Sequence, residues 1–140
     1  MRHIGFTGTR EGMKNVQKAV LSDLLLARVP AWLHHGVCVG ADEQAHRIAI
    51  SLGIFVAGHP PKNQRHRAVE CGYFDQLYPE QEYLQRNHTI VDFSEELIAA
   101  PASDEAHSPR SGTWATIRYA RKQGKIVTIV HADGTLEFSP

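Results

Sequence analysis

Short apolar runs alternate with longer stretches of helical spacing along the chain. His3-Ile4-Gly5-Phe6-Thr7 predicts a first strand. From Gly12 to Arg28 the apolar positions Met13, Val16, Val20, Leu24, Leu25 and Ala27 recur as on one buried helix face, and Pro30 forbids continuation. Trp32 to Val39 reads as a second strand, interrupted by His34 and His35. Asp42 opens a helix with the stripe Ala45, Ile48, Ala49 and Leu52, and Gly53 closes it. Ile54 to Gly58 is a third strand. The stretch from His59 to Pro79 carries Pro60-Pro61, the basic run Lys62 to Arg67, and Cys71-Gly72; it reads as a surface excursion with room for one short helix or strand. Glu80 to Asp92 is helical, with Tyr83, Leu84, His88 and Val91 roughly on one side. Glu96 to Ala100 is a fourth strand that stops at Pro101, and a polar loop runs from Ala102 to Arg110. Ser111 starts a helix that ends at Gly124, Lys125 to Val130 is the fifth strand, and Asp133-Gly134 turns a small hairpin with Thr135 to Phe138.

This order predicts an α/β protein, a three-layer α/β/α sandwich around a mainly parallel sheet of about five strands with right-handed crossovers, in one domain over residues 1–140. Three polar turns then stand out: Thr7-Gly8-Thr9-Arg10, Gly36 to Gly40-Ala41-Asp42, and Ser111-Gly112-Thr113. Each precedes a helical segment, and all three fall at expected strand C-termini. Ligands of such sheets bind there, where the strand order reverses. Free backbone N–H groups and the helix dipole at such a turn suit a phosphate. A nucleotide-sized pocket is the expectation.

Composition narrows the partners. Lysine plus arginine balance aspartate plus glutamate at 15 each, so no global field drives binding to nucleic acid or membrane. No apolar run approaches the ~20 residues of a membrane span. The immediate first strand leaves no room for a signal peptide, and two cysteines are too few for a disulfide framework. A cytoplasmic protein is expected.

The set Gly5-Phe6-Thr7-Gly8-Thr9-Arg10, Gly36-x3-Gly40-Ala41-Asp42, Arg86-Asn87, Leu97-Ile98-Ala99-Ala100-Pro101 and Ser111-Gly112-Thr113 resembles the SLOG superfamily. This is the Rossmann-like group that includes the DNA-processing protein DprA/Smf and the LOG phosphoribohydrolases. The resemblance runs through nearly the whole chain in order and is closest to small stand-alone members. It implies a Rossmann-like fold, a nucleotide or nucleotide-derived ligand, a homodimer, and an Arg86-Asn87 pair facing the ligand. Two positions depart from the pattern. Thr116 stands where hydrolytic LOG members carry a glutamate, and a hydroxyl cannot replace a carboxylate in activating water. Val37 stands where many relatives have a second glycine. The Ser-Gly-Thr form is nearer to the DprA version of that turn.

The candidate ligand-binding residues are therefore Gly8, Thr9, Arg10, Gly40, Asp42, Arg86, Asn87, Ser111, Gly112 and Thr113. Each has a plainer reading beside the functional one. Arg10 and Arg86 are either phosphate clamps or solvated side chains. Asp42 caps its helix or bonds a ribose or base, and Ser111 is an anion donor or an N-cap alone. Arg110 is a further cation near the third turn. No catalytic residue is assigned; a hydrolytic reading would need Asp42, Glu82 or Asp104 as a substitute acid. A DNA-associated reading would use Arg65 and Arg67. His34-His35-x2-Cys38 invites a metal, but alternation puts adjacent histidines on opposite faces of a strand, so no metal and no cofactor is assigned. Cys71 lacks an identifiable catalytic partner. Tyr73, Phe74, Tyr78 and Tyr83 serve either the core or a wall against a base.

Overall fold

The protein is described from a computed structural model over residues 1–68, 71–104 and 111–139. Seven strands form one sheet: β1 (Arg2–Gly8), β2 (Ala31–His35), β3 (Phe55–Gly58), β4 (Gln76–Leu77), β5 (Glu96–Ala100), β6 (Ile126–Val130) and β7 (Leu136–Ser139). Four α-helices connect them: α1 (Asn15–Leu26), α2 (Ala41–Ser51), α3 (Tyr83–Phe93) and α4 (Gly112–Lys122), with a 3₁₀ turn at Gln64–His66. The strand order is β4-β3-β2-β1-β5-β6-β7, and every pairing is parallel except β6 with β7. Strands thus number seven rather than about five. The additions are the two-residue β4, inside the stretch 59–79, and β7, the return arm of the terminal hairpin.

Period-two alternation sorts the core onto two faces. Ile4, Phe6, Leu33, Val56, Ile98 and Ala100 meet Leu21 and Leu25 of α1 and the alanine stripe Ala41, Ala45 and Ala49 of α2. Leu97, Ala99, Val127 and Ile129 meet Val91 of α3 and Trp114, Ile117 and Ala120 of α4 on the other face. The chain runs outward from β1 to β4, then returns to the opposite side of β1 as β5. The sheet therefore reverses its order between β1 and β5, and the C-terminal ends of this pair open a crevice. Buried Gln17 steadies one side of it. Its Nε2 donates to the carbonyls of Pro101 and Val130, each at 3.1 Å, while Oε1 accepts from Lys14 N–H at 2.9 Å. One side chain thus ties the start of α1 to the ends of β5 and β6. No helix among the described residues is long and apolar enough to cross a membrane.

Candidate functional site

A cleft of about 390 Å³ lies over the β1/β5 reversal. Its walls include Gly8, Thr9, Arg10, Asp42, Arg86, Asn87, Ser111, Gly112 and Thr113, so nine of the ten residues expected from the sequence converge on one cavity. Gly40 does not line it. It holds φ +89°, and a Cβ there would strike the carbonyl of Arg10, so glycine is required for the second turn to press against the first. Arg110 lies outside the described residues.

The first turn is built by Thr9. Its N–H donates to the Ala100 carbonyl at 3.0 Å, its carbonyl accepts from Gly12 and Ala41, and its Oγ1 accepts from Glu11 N–H at 3.1 Å. Thr9 therefore fastens β1 to β5 and to α2, and Arg10, exposed on the cleft, is carried by that frame. At the third turn Ser111 caps α4 by accepting from Trp114 N–H at 3.2 Å. No described residue accepts from the N–H of Gly112 or Thr113. These are the unfilled donors that a helix start leaves, and they border the cleft at the positive end of the α4 dipole. Tyr83 stands beside them. A Cβ on Gly112 would land on Tyr83 Oη, and the Tyr83 ring carries the Arg86 guanidinium 5.1 Å from its centroid.

The Asp42 side chain does not cap its helix, although it lines the cleft. It sits in the first turn of α2, behind the N-cap, and its Oδ2 accepts from Gly36 N–H at 3.1 Å and Cys38 N–H at 3.2 Å. The carboxylate thus closes the second turn, where Val37 holds a left-handed φ of 56°. Burial raises its pKa to about 6, although Arg86 and both amides pull it down. Arg86 is 2% exposed, far from a solvated mid-helix arginine. Nη1 donates to the carbonyls of Gly36 and His59, Nε to Asn87 Oδ1 at 2.8 Å, and Nη2 lies 3.7 Å from Cys38 Sγ. Most of its donors therefore build the cleft wall. It supplies a fixed positive charge there, with one Nη2 proton left over. Asn87 Nδ2 has no partner among the described residues and borders the cavity.

Sequence reasoning left out six lining residues: Glu11, Cys38, Ile90, Ala102, Ser103 and Trp114. Cys38 belongs to the second turn already singled out, and burial followed by Asp42 raises its thiol pKa. Trp114 lies one residue beyond Thr113. Ala102 and Ser103 come from the loop after β5, where no spacing marks them. Thr116, at the position of the LOG glutamate, donates its hydroxyl to the Gly112 carbonyl at 2.8 Å and does not line the cleft. Of the three substitute acids, only Asp42 reaches the cleft; Glu82 and Asp104 do not.

No family model matches the chain, and no curated protein does. Solved structures do. The molybdenum cofactor binding protein of Rippkaea orientalis superposes with a TM-score of 0.71 at 22% identity, over 93% of this chain and 76% of that one. The Moco carrier protein of Chlamydomonas reinhardtii gives 0.66 at 21% identity, over 91% and 75%. DNA processing protein A of Streptococcus pneumoniae gives 0.69 at 19% identity, over 92% of this chain but half of that one. The chain shares the Rossmann-like α/β fold of these structures.

Within this Rossmann-like frame, the histidines divide as strand alternation requires. His34 faces α3 and stacks on Phe93, whereas His35 faces α2 and packs on His46 and Phe74. On the α3 side, His3 Nδ1 meets His34 Nε2 at 2.8 Å, and His34 Nδ1 meets His59 Nε2 at 2.9 Å. Each junction holds one proton, donated by one ring and accepted by the other. Burial, then the neighbouring charges, lowers His34 to about 4 and His59 to about 3. The His59 carbonyl in turn receives Arg86, so this chain of rings backs the cleft wall.

On the α2 side, ligand-type atoms of His35, His46 and Cys71 lie within 4.8 Å of one another. Their proton positions oppose an ion. Val37 N–H donates to His35 Nδ1 at 3.0 Å, so His35 carries its proton on Nε2 and donates it to His46 Nδ1 at 2.9 Å. His46 then carries its own proton on Nε2, directed toward the carbonyls of Cys71 and Tyr73 without a full hydrogen bond to either. Burial, with acidic neighbours, pushes the Cys71 thiol up to about 12. In these protonation states the three side chains form a packed polar cluster behind the second turn.

Proposed function

We propose that this protein binds a nucleotide or nucleotide-derived, phosphate-bearing molecule in the cleft at the β1/β5 reversal. The observation that carries this reading is the pair of α4 amides, Gly112 and Thr113, which have no acceptor among the described residues and open on a cavity walled by Arg10 and Arg86. A phosphoryl group there would accept from both amides and from the Thr113 hydroxyl, with the α4 dipole and two guanidinium groups offsetting its charge. The aromatic edges of Tyr83 and Trp114 and the side chain of Ile90 give the organic part an apolar wall, and Asn87 Nδ2 gives it a donor. Neighbours with this fold support a small-molecule role, two of them being named for the molybdenum cofactor. The Streptococcus pneumoniae neighbour is a DNA-processing protein, but it is twice as long, and Arg67 of this chain is already paired with Glu80 at 3.0 Å.

Binding without hydrolysis is the reading that Asp42 and Thr116 support; Glu11, the other carboxylate on the cleft, stands beside Arg10 in the first turn. Asp42 Oδ2 is fully engaged by two amides, and the glutamate of the hydrolytic pattern is Thr116, turned back onto its own helix. Thermal denaturation across a panel of nucleotides tests the proposal. A phosphate-bearing nucleotide is expected to raise Tm, its parent nucleoside is not, and Gly112→Trp is expected to abolish the shift. A panel that leaves Tm unmoved would overturn it.

A further inference from the structure

The basic run Lys62 to Arg67 is not absorbed by the cleft itself, yet the fold fastens it to the cleft's edge. Val39 N–H donates to the His66 carbonyl at 2.8 Å, Ala68 N–H donates to the Val37 carbonyl at 2.8 Å, and Cys38 forms an antiparallel bridge with Arg67. The segment therefore rides on the second turn, which contributes Gly36 and Cys38 to the cavity wall. The same turn is pressed at Gly40 against the Arg10 carbonyl. Arg10 and Arg65 are thus brought to one lip, and His66 lies within the field of both.

The cations of this segment differ in how they are satisfied. Arg67 pairs with Glu80 at 3.0 Å and Lys62 with Glu82 at 3.6 Å. The side chains of Arg10 and Arg65 have no ion-pair or hydrogen-bond partner among the described residues, and both are exposed. Two guanidinium groups without a partner among the described residues, brought to one lip by main-chain bonds, repel one another, and a bridging anion relieves that repulsion.

We infer that the lip is a second anion station, and that the ligand carries phosphoryl groups in series, one on the α4 amides and the next held by Arg10 and Arg65. The ligand class is then a phosphoanhydride, such as a nucleoside di- or triphosphate, in preference to a monoester. This inference rests on the ligand reading given above and narrows it.

Calorimetric titration with inorganic phosphate, pyrophosphate and tripolyphosphate at fixed ionic strength tests it without the organic part. Tripolyphosphate is expected to bind at least about tenfold tighter than phosphate. Arg65→Ala is expected to shrink that ratio to within about twofold, whereas Lys62→Ala, which removes the same charge from the same segment, keeps it. Equal ratios in the two variants, or no gain from phosphate to tripolyphosphate, would overturn the second station while leaving the α4 site standing. Failure of all three anions to bind would instead overturn the ligand reading itself. Arg65-dependent capture of an oligothymidylate without tripolyphosphate binding would overturn the phosphoanhydride assignment in favour of a polynucleotide.

Discussion

Acid should destabilise this domain steeply between pH 6.5 and 5, because of histidines that fold neutral. His34 and His59 are each 1% exposed, with pKa values near 4 and 3 in the folded protein against 6.5 for the free side chain. Above pH 6.5 neither state binds the proton and the pair costs nothing. Below it the unfolded chain takes up protons that the folded one refuses, so stability falls as pH falls, until the folded values are reached. At pH 5 each such histidine costs about 2 kcal/mol, from 1.4 kcal/mol per unit over one and a half units, so the pair costs about 4 kcal/mol. His35, also pushed well below its usual value by burial, adds in the same direction. Asp42 opposes: its folded value of about 6 lies above 3.8, so it gains a proton on folding and returns about 1.4 kcal/mol at pH 5. His131 also opposes. Partial burial works against it, but Glu137 and Asp104 prevail and raise its pKa. The net loss is about 3 kcal/mol before His35 is counted, a large part of a typical domain's stability. Urea unfolding at pH 7.5, 6.5, 5.5 and 5 measures it, and His59→Phe should flatten the slope by about one proton whatever its effect at pH 7.5. A midpoint unchanged from pH 7.5 to 5 would refute the neutral histidine chain.

Four further outcomes follow from the cleft wall. Asp42→Ala orphans two buried amides and is expected to cost about 2 kcal/mol in urea unfolding, whereas Asp42→Asn keeps an acceptor and is expected to cost less than half of that. In calorimetry, Asp42→Asn should also tighten phosphate binding several-fold, by removing a negative charge from the cleft. Arg86→Met leaves the Gly36 and His59 carbonyls and Asp42 uncompensated, with an expected loss of about 3–5 kcal/mol by urea unfolding. Gly112→Ala meets the hydroxyl end of the half-exposed Tyr83 ring, which can swing toward solvent, so Tm should stay within about 2 °C while phosphate affinity falls by about tenfold or more.

The elements that the sequence revealed were those whose contacts are local or face the core on both sides. β5 was legible residue for residue because all five positions are buried. The second strand was overread to Val39. Val37 and Val39 continue its apolar pattern, but Gly36 and Cys38 give their amides to Asp42 and the chain turns at His35. Helix α1 was begun too early, because Met13 is buried from the loop, its N–H bound to Gln44 Oε1. β4 left no pattern, since its placement depends on Val56 N–H donating to Asp75, nineteen residues away. The turns that line the cleft were legible from glycine and strand ends, whereas the burial of Arg86 was not. Its acceptors at Gly36 and His59 lie 50 and 27 residues back in the chain.

The central claim is that a phosphoryl group sits on main-chain amides at the β1/β5 reversal. Amide shifts in ¹⁵N-labelled protein titrated with inorganic phosphate and with AMP report on it most directly. Downfield movement of the Gly112 and Thr113 N–H protons, saturable and stronger with AMP, is the expected result. Saturable shifts gathered on other residues while these two stay fixed, or no shift at millimolar ligand, would contradict it.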